Sequence, residues 1–475
     1  MTRNIAKNLI PVFALTAVAN ATVVDLADFA GNAAKGDTVR LASRSSLRID
    51  ESVVLELADA TLLVSAKDGV SFGPNGSIAV SGANARIVVD ADADADGTGS
   101  VDCGEGRVCI SVAGKNANAK IYAAGEAVQA VASAKDGASA RVYANVYSSA
   151  ELAAVAARVN SSAAPATDWS FALAKDVDVS ETEIEPMRGV LSADGKSRVG
   201  FSGSFDGRGH RISGLALRSP SEENVGLFGL TSNATIERVA VVDAEVFGWA
   251  GVGALVGYLG AGSVVRECFS TGRVVGNYQV GGLVGESYRS GVEDAHSLAK
   301  VSGTRFVGGV VGFVGLKSSA RRILAAGSAD GDEIVGTVVG RNRFGSVSGA
   351  RSAESGDGVG SCLQGECDVL AVGESGLADR SNFPGWDFGE VWTMTATRPE
   401  LSVFGAAERE TVRQVAKRDP DGKASGDDRW ETVPAGMHRM IVRDASGKVV
   451  GTKTVQPGQR ILRALFDGKS VQFSK

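Results

Sequence analysis

Asp92, Asp94 and Asp96 alternate ahead of Gly97 in the string Asp90-Ala91-Asp92-Ala93-Asp94-Ala95-Asp96-Gly97. Oxygen ligands at alternate positions, followed by a glycine that permits a sharp turn, make up the first half of a calcium loop. The glutamate such a loop carries at its twelfth position is replaced by Cys103, with Asp102 and Glu105 nearby. The string reads in two ways: as calcium ligands, or as a solvated acidic hairpin tip whose repulsion keeps an edge soluble. No other cofactor is required.

Asp206, Arg208, His210 and Arg211 form the best local candidate for acid-base catalysis. A glycosidase needs two carboxylates about 5 to 10 Å apart, and a lyase a calcium cluster with a basic proton acceptor. No second carboxylate cluster aligns with Asp206 on neighbouring repeats, so the other reading is a turn whose Asp and His bond to backbone. A binding surface has its own candidates. Trp249, Tyr278 and Phe306 precede successive repeat motifs and could form an aromatic ledge for sugar or protein, or could staple each turn to the coil beneath.

These groups are carried by a repeat. Val225-Gly226-Leu227-Phe228-Gly229 is followed by Val-Gly-x-x-Val-Gly units ending at Gly257, Gly285, Gly312 and Gly340, so the closing glycines step by 28, 28, 27 and 28 residues. A fixed period of this size marks stacked coils. Glycines are expected where each coil turns tightly and a Cβ would obstruct, and Gly285→Val should cost more than ~1 kcal/mol if the backbone there has positive φ. Aligning the second halves gives a small or apolar column, Cys268, Ala295, Ile323 and Ala350, which is expected inside. The columns just before it, Arg266, Glu293, Arg321, Ser348 and Glu267, Asp294, Arg322, Gly349, suit an outer face or turn rim, and Arg266, Glu293 and Arg321 are binding candidates. Cys268 is then a core residue without a partner, and His296, in a column with Phe269 and Leu324, is structural.

Before the repeats, short apolar runs around Val53, Leu62, Ile78, Ile87, Cys109 and Val142 read as strands of a β-solenoid-like segment over residues 22–147, without a clean period. Ser148 three residues before Glu151, with Leu152, Val155, Ala156 and Val159 on one face, predicts a capping or junction helix over 148–160. Aromatics at Trp386, Phe388, Trp392 and Phe404 are expected to cover the open end of the last coil. Residues 406–430 read as a charged linker and 431–475 as a small β module.

The whole is read as all-β, a right-handed parallel β-helix or β-solenoid. Gly 61 with 6% aromatics suits repeated turns, and a net charge of -6 with pI near 5.4 excludes a nucleic-acid partner. Arg3 and Lys7, the apolar run from Leu9 to Ala19 and the small residues Ala19-Asn20-Ala21 read as a signal peptide over residues 1–21. Cys103 with Cys109 and Cys362 with Cys367 suit local disulfides in an oxidising compartment. No later run is long enough to span a bilayer as a helix.

One element is specific enough for a resemblance. The predicted helix, a strand ending Asp176-Val177-Asp178, the segment from Phe201 through Phe205-Asp206-Gly207-Arg208-Gly209-His210 to Gly214-Leu215, and the Gly-Leu-Val-Gly units together resemble the GLUG-repeat proteins, bacterial secreted and surface proteins, over roughly 148–405. The resemblance implies a β-helix, export and an adhesin-like role, and makes the Asp206 string a structural element. The order of the last strands is similar to the C-terminal sorting modules of type IX secretion cargo, with Gln459-Arg460 where those tails often carry an aromatic. The expected function is an exported, monomeric repeat protein presenting a face to a polysaccharide or cell-surface protein. The alternative is a β-helical polysaccharide lyase or hydrolase.

Overall fold

The computed structural model describes residues 14–17, 38–50, 52–125, 131–162, 167–192, 198–405, 430–443, 446–455, 457, 460–462 and 470–474. It is nearly all β, with strands joined in parallel sheets. Two compact units are present, one of Met1–Tyr147 with Trp169–Lys175, the other of Ser148–Asp168 with Asp176–Lys475. Of the predicted leader, Ala14–Ala17 is described and pairs in parallel with Thr38–Ser43; the rest of residues 1–21 lies outside the described residues.

In the first unit each coil lays a strand directly on the one before. Thr38 lies opposite Thr61, Thr61 opposite Arg86, Arg86 opposite Asn118 and Asn118 opposite Ser139, so successive coils are 23, 25, 32 and 21 residues long. That spread is why the sequence shows no period. Alternate residues of each strand face one core that includes Leu62, Val64, Ile87, Val89, Ile121 and Val142. The corners are held by Asp59, Asn84, Asn116 and Asp136, all with φ between 55° and 59°. Short polar side chains tolerate this left-handed backbone and stack: Asn84 donates to Asp59 at 2.6 Å and Asn116 to Asn84 at 3.3 Å. The coil of 32 residues is lengthened by the Asp92 to Cys109 stretch, which contains the Cys103–Cys109 disulfide.

The second unit begins with helix α1 (Ser149–Val159), capped by Ser148, whose hydroxyl accepts from Glu151 N at 3.3 Å. Leu152, Ala156 and Val159 are its buried stripe. The repeats follow in close register. Val256 lies opposite Val284, Val284 opposite Val311 and Val311 opposite Val339, steps of 28, 27 and 28 residues, and one shorter coil sets Val339 against Val359. The Cys362–Cys367 disulfide ties two strands of that last coil. Cys268, Ala295, Ile323 and Ala350 are fully buried.

Two expectations are corrected. Gly285 does not have positive φ. The left-handed positions of these coils are mostly other residues: Asn224, Gln279, Phe306 and Ile334 in one column with Gly251, and Arg238, Glu267, Asp294 and Arg322 in another with Gly349. The glycines are needed for close approach instead. A Cβ on Gly285 would stand 2.3 Å from Val252 N, and one on Gly281 would stand 2.1 Å from the Val284 carbonyl oxygen. Two glycine columns thus let strands pack backbone to backbone across a narrow edge. The second correction concerns the late aromatics. Trp386, Trp392, Leu401 and Phe404 pack on the side of several coils, against Ala240, Phe269 and Leu324, rather than over the last coil. Trp392 Nε1 donates to Asp294 Oδ1 at 2.9 Å. His296 is buried there, stacked on Phe269 at 4.9 Å.

The stretch read as a linker lies outside the described residues from 406 to 429. Beyond it, Arg439–Arg443 pairs antiparallel with Val449–Thr454 and Ser470–Ser474 in a small sheet. Met440, Val442 and Val455 from this module pack against Phe247, Trp249 and Val275.

Candidate functional site

The narrow glycine edge positions a column of half-exposed side chains. The strands Phe228–Thr231, Val256–Leu259, Val284–Ser287, Val311–Val314, Val339–Arg343 and Val359–Leu363 stack in parallel. The residue after each closing glycine falls in one register line: Leu230, Tyr258, Glu286, Phe313, Arg341 and Ser361. From Tyr258 to Arg341 the line reads aromatic, acid, aromatic, guanidinium, one per coil and so about 4.8 Å apart.

The electrostatics are those of a partly dry surface. Burial pushes the Glu286 carboxyl up to about 7. The Tyr258 phenol is raised by burial first, then by Glu286 and Tyr288. Phe306 joins the line from the neighbouring corner, edge-on to Phe313 with ring centres 5.8 Å apart. The guanidinium carbons of Arg305 and Arg341 each lie 4.9 Å from the centre of the Phe306 ring. Burial, Arg343 and Arg305 lower the Arg341 pKa, and its Nε is buried without a hydrogen-bond partner. Such a strip offers apolar ring faces, a carboxyl that is part neutral near pH 7, and cationic donors.

The sequence candidates are placed differently. Trp249 is buried, 6.5 Å from Tyr278, beneath the C-terminal module, so it cannot share an exposed ledge with Phe306. Phe306 packs against the register line from its corner, touching Phe313 and Arg341. Arg266, Glu293 and Arg321 do form one column, but its charges are paired along the stack: Arg266 donates to Glu237 at 2.7 Å and Arg321 to Glu293 at 2.7 Å. Asp206 is fully buried, takes the Arg208 N–H at 2.9 Å and is bound by Arg238. His210 lies 3.3 Å from Asp176, whose carboxyl is held well below the usual range by His210 and then Arg211. The structure therefore joins Asp206 to the Arg208 backbone and to Arg238, and His210 to Asp176.

No protein-family model matches this chain. It is 30% identical to halomucin of Haloquadratum walsbyi over 52% of its own length, and spans 3% of that protein. Among solved structures it is similar to one from Bacteroides ovatus, provisionally named an immunoglobulin A1 protease, at 18% identity and a TM-score of 0.42 over 55% of this chain and 92% of that one.

Two further placements complete the site inventory. A cleft of about 560 Å³ is lined by Asn160, Arg188, Arg198 and Arg218 among others. Arg188 Nε and Nη2 are buried there without hydrogen-bond partners, so the recess could take one small anionic group. In the first unit, carboxylate oxygens of Asp92, Asp94 and Asp96 lie within 4.8 Å of one another. Sequence reasoning missed Tyr258, Glu286, Phe313 and Arg341. Aligning each repeat on the residue after its closing glycine would have found them.

Proposed function

We propose that this protein is an exported, extracellular binding protein, a right-handed β-helix of the GLUG-repeat kind that holds an acidic polysaccharide along the Tyr258–Glu286–Phe313–Arg341 line. The observation that carries the reading is the register itself. Four chemically suited side chains, from four consecutive coils, stand in one line with a fixed spacing, as contact with an extended repeating polymer demands. Aromatic faces suit sugar rings, and Arg341 with Arg305 suits a carboxylate or sulfate on the polymer. The likeness to halomucin supports an extracellular setting, as do the two disulfides and the apolar N-terminal run. The C-terminal module, with the order of a sorting signal, fits export.

Binding of full-length protein to an array of acidic and neutral polysaccharides tests this. Tyr258→Ala with Phe313→Ala should lower affinity for the acidic polymers at least about tenfold, the loss of one to two stacking contacts. Arg341→Ala should remove the preference for acidic over neutral polymers. Unchanged binding by both variants sinks the proposal. Release of reducing ends or unsaturated products from the polymer would favour the lyase or hydrolase reading instead.

A further inference from the structure

We propose that Asp92, Asp94 and Asp96 form a calcium site in the first unit. The three carboxylates belong to alternate residues, and the left-handed backbone at Ala95 (φ 55°) and Gly97 (φ 89°) folds the string so that their oxygens converge within 4.8 Å. Three like charges so close repel one another unless a cation lies among them. Among the described residues, Lys67 forms an ion pair with Asp94 at 3.4 Å.

The decisive residue is Asp92. An acidic hairpin tip would leave it in water, yet it is 1% exposed while Asp94 and Asp96 are open. Its Oδ2 accepts from the Tyr147 hydroxyl and from Gly97 N at 3.3 Å. Its Oδ1 is buried and takes no hydrogen bond. A desolvated carboxylate oxygen without a donor is costly, and a metal ion is the ligand that supplies what it lacks. The Tyr147 hydroxyl bonded to the other oxygen is the kind of outer contact that orients a metal-binding carboxylate. Asp96 is likewise fixed, its Oδ1 accepting from Thr98 N at 2.9 Å and Thr98 Oγ1 at 2.7 Å.

The donor set selects the ion. Carboxylate oxygens alone exclude zinc and copper as preferred guests, and an irregular set on a loop suits calcium, with its six to eight flexible ligands, better than magnesium. The twelfth loop position sets the strength. Cys103 is bridged to Cys109, so no bidentate glutamate closes the site, and affinity should fall in the weak range of extracellular modules, about 10⁻⁴ to 10⁻³ M.

Titration calorimetry and thermal unfolding of the full chain, stripped with chelator and then given calcium or magnesium chloride up to about 10 mM, test the site. Saturable calcium binding in that range, with a raised Tm and at least about tenfold weaker response to magnesium, is expected. Asp94→Asn with Asp96→Asn should abolish the calcium shift while raising the calcium-free Tm, because the repulsion is removed. Both residues are exposed, so this variant should fold where Asp92→Asn, at a buried position, could fail to. No saturable heat, an equal response to magnesium, or a calcium shift retained in the double variant would each overturn the proposal.

Discussion

Glu286 shows how one residue can report on the surface it occupies. Its carboxyl is raised from 4.5 to about 7 by burial alone. Between those two values the unfolded chain is ionised while the folded chain keeps its proton, so stability falls as pH rises through the window and levels off above it. The loss is of order 1–3 kcal/mol. Glu286→Gln cannot ionise and should lack this slope. Denaturant midpoints at pH 4.5 and pH 8 should therefore converge in the variant relative to wild type, the variant gaining at pH 8. Parallel pH dependence in the two proteins would show that the carboxyl is in fact well solvated. Polymer binding should also weaken above pH 7, when an ionised Glu286 faces an acidic ligand.

The repeat element was legible in the sequence as a period, and the register confirms its steps; the reason for its glycines was not. A glycine column in a sequence is compatible with left-handed corners or with close approach, and only the partner strand distinguishes them. Here the corners accept Asn, Gln, Arg, Phe and Ile at positive φ, while the glycines face backbone. Two substitutions separate the roles. Gly285→Ala places a methyl 2.3 Å from Val252 N, an atom that cannot move aside, and should cost about 2 kcal/mol or more. Gly291→Ala meets nothing nearer than Ser319 Oγ at 3.5 Å and has no positive φ, so it should stay within about 1 kcal/mol of wild type. Urea unfolding of both variants reads the difference; equal losses would mean that the edge opens to admit a side chain. The late aromatics were legible as buried but not as to where. Trp392 meets Asp294 across 98 residues, and nothing local in either segment encodes that face.

At the scale of the molecule, stacking makes stability local, because each coil touches mainly its neighbours and the ends open most readily. Irregular coil lengths hid the same architecture in the first unit, where an inserted loop destroys the period while the register persists. The second unit carries a natural probe of its middle. Cys268 is the free cysteine among the described residues, fully buried in a central coil, and burial pushes its thiol far up. It can react only when the coils on both sides have opened, since a thiol must reach solvent and ionise to attack a reagent. Labelling by a thiol reagent in native buffer should therefore be slower than that of a short cysteine peptide by a factor close to the full unfolding equilibrium constant, 10³ or more for an ordinary stability. A cysteine placed by Val347→Cys, nearer the end of the stack, should label faster than Cys268. Equal rates at the two positions would mean that the repeats open as one cooperative block, and fast labelling of Cys268 that its coil is not closed at all.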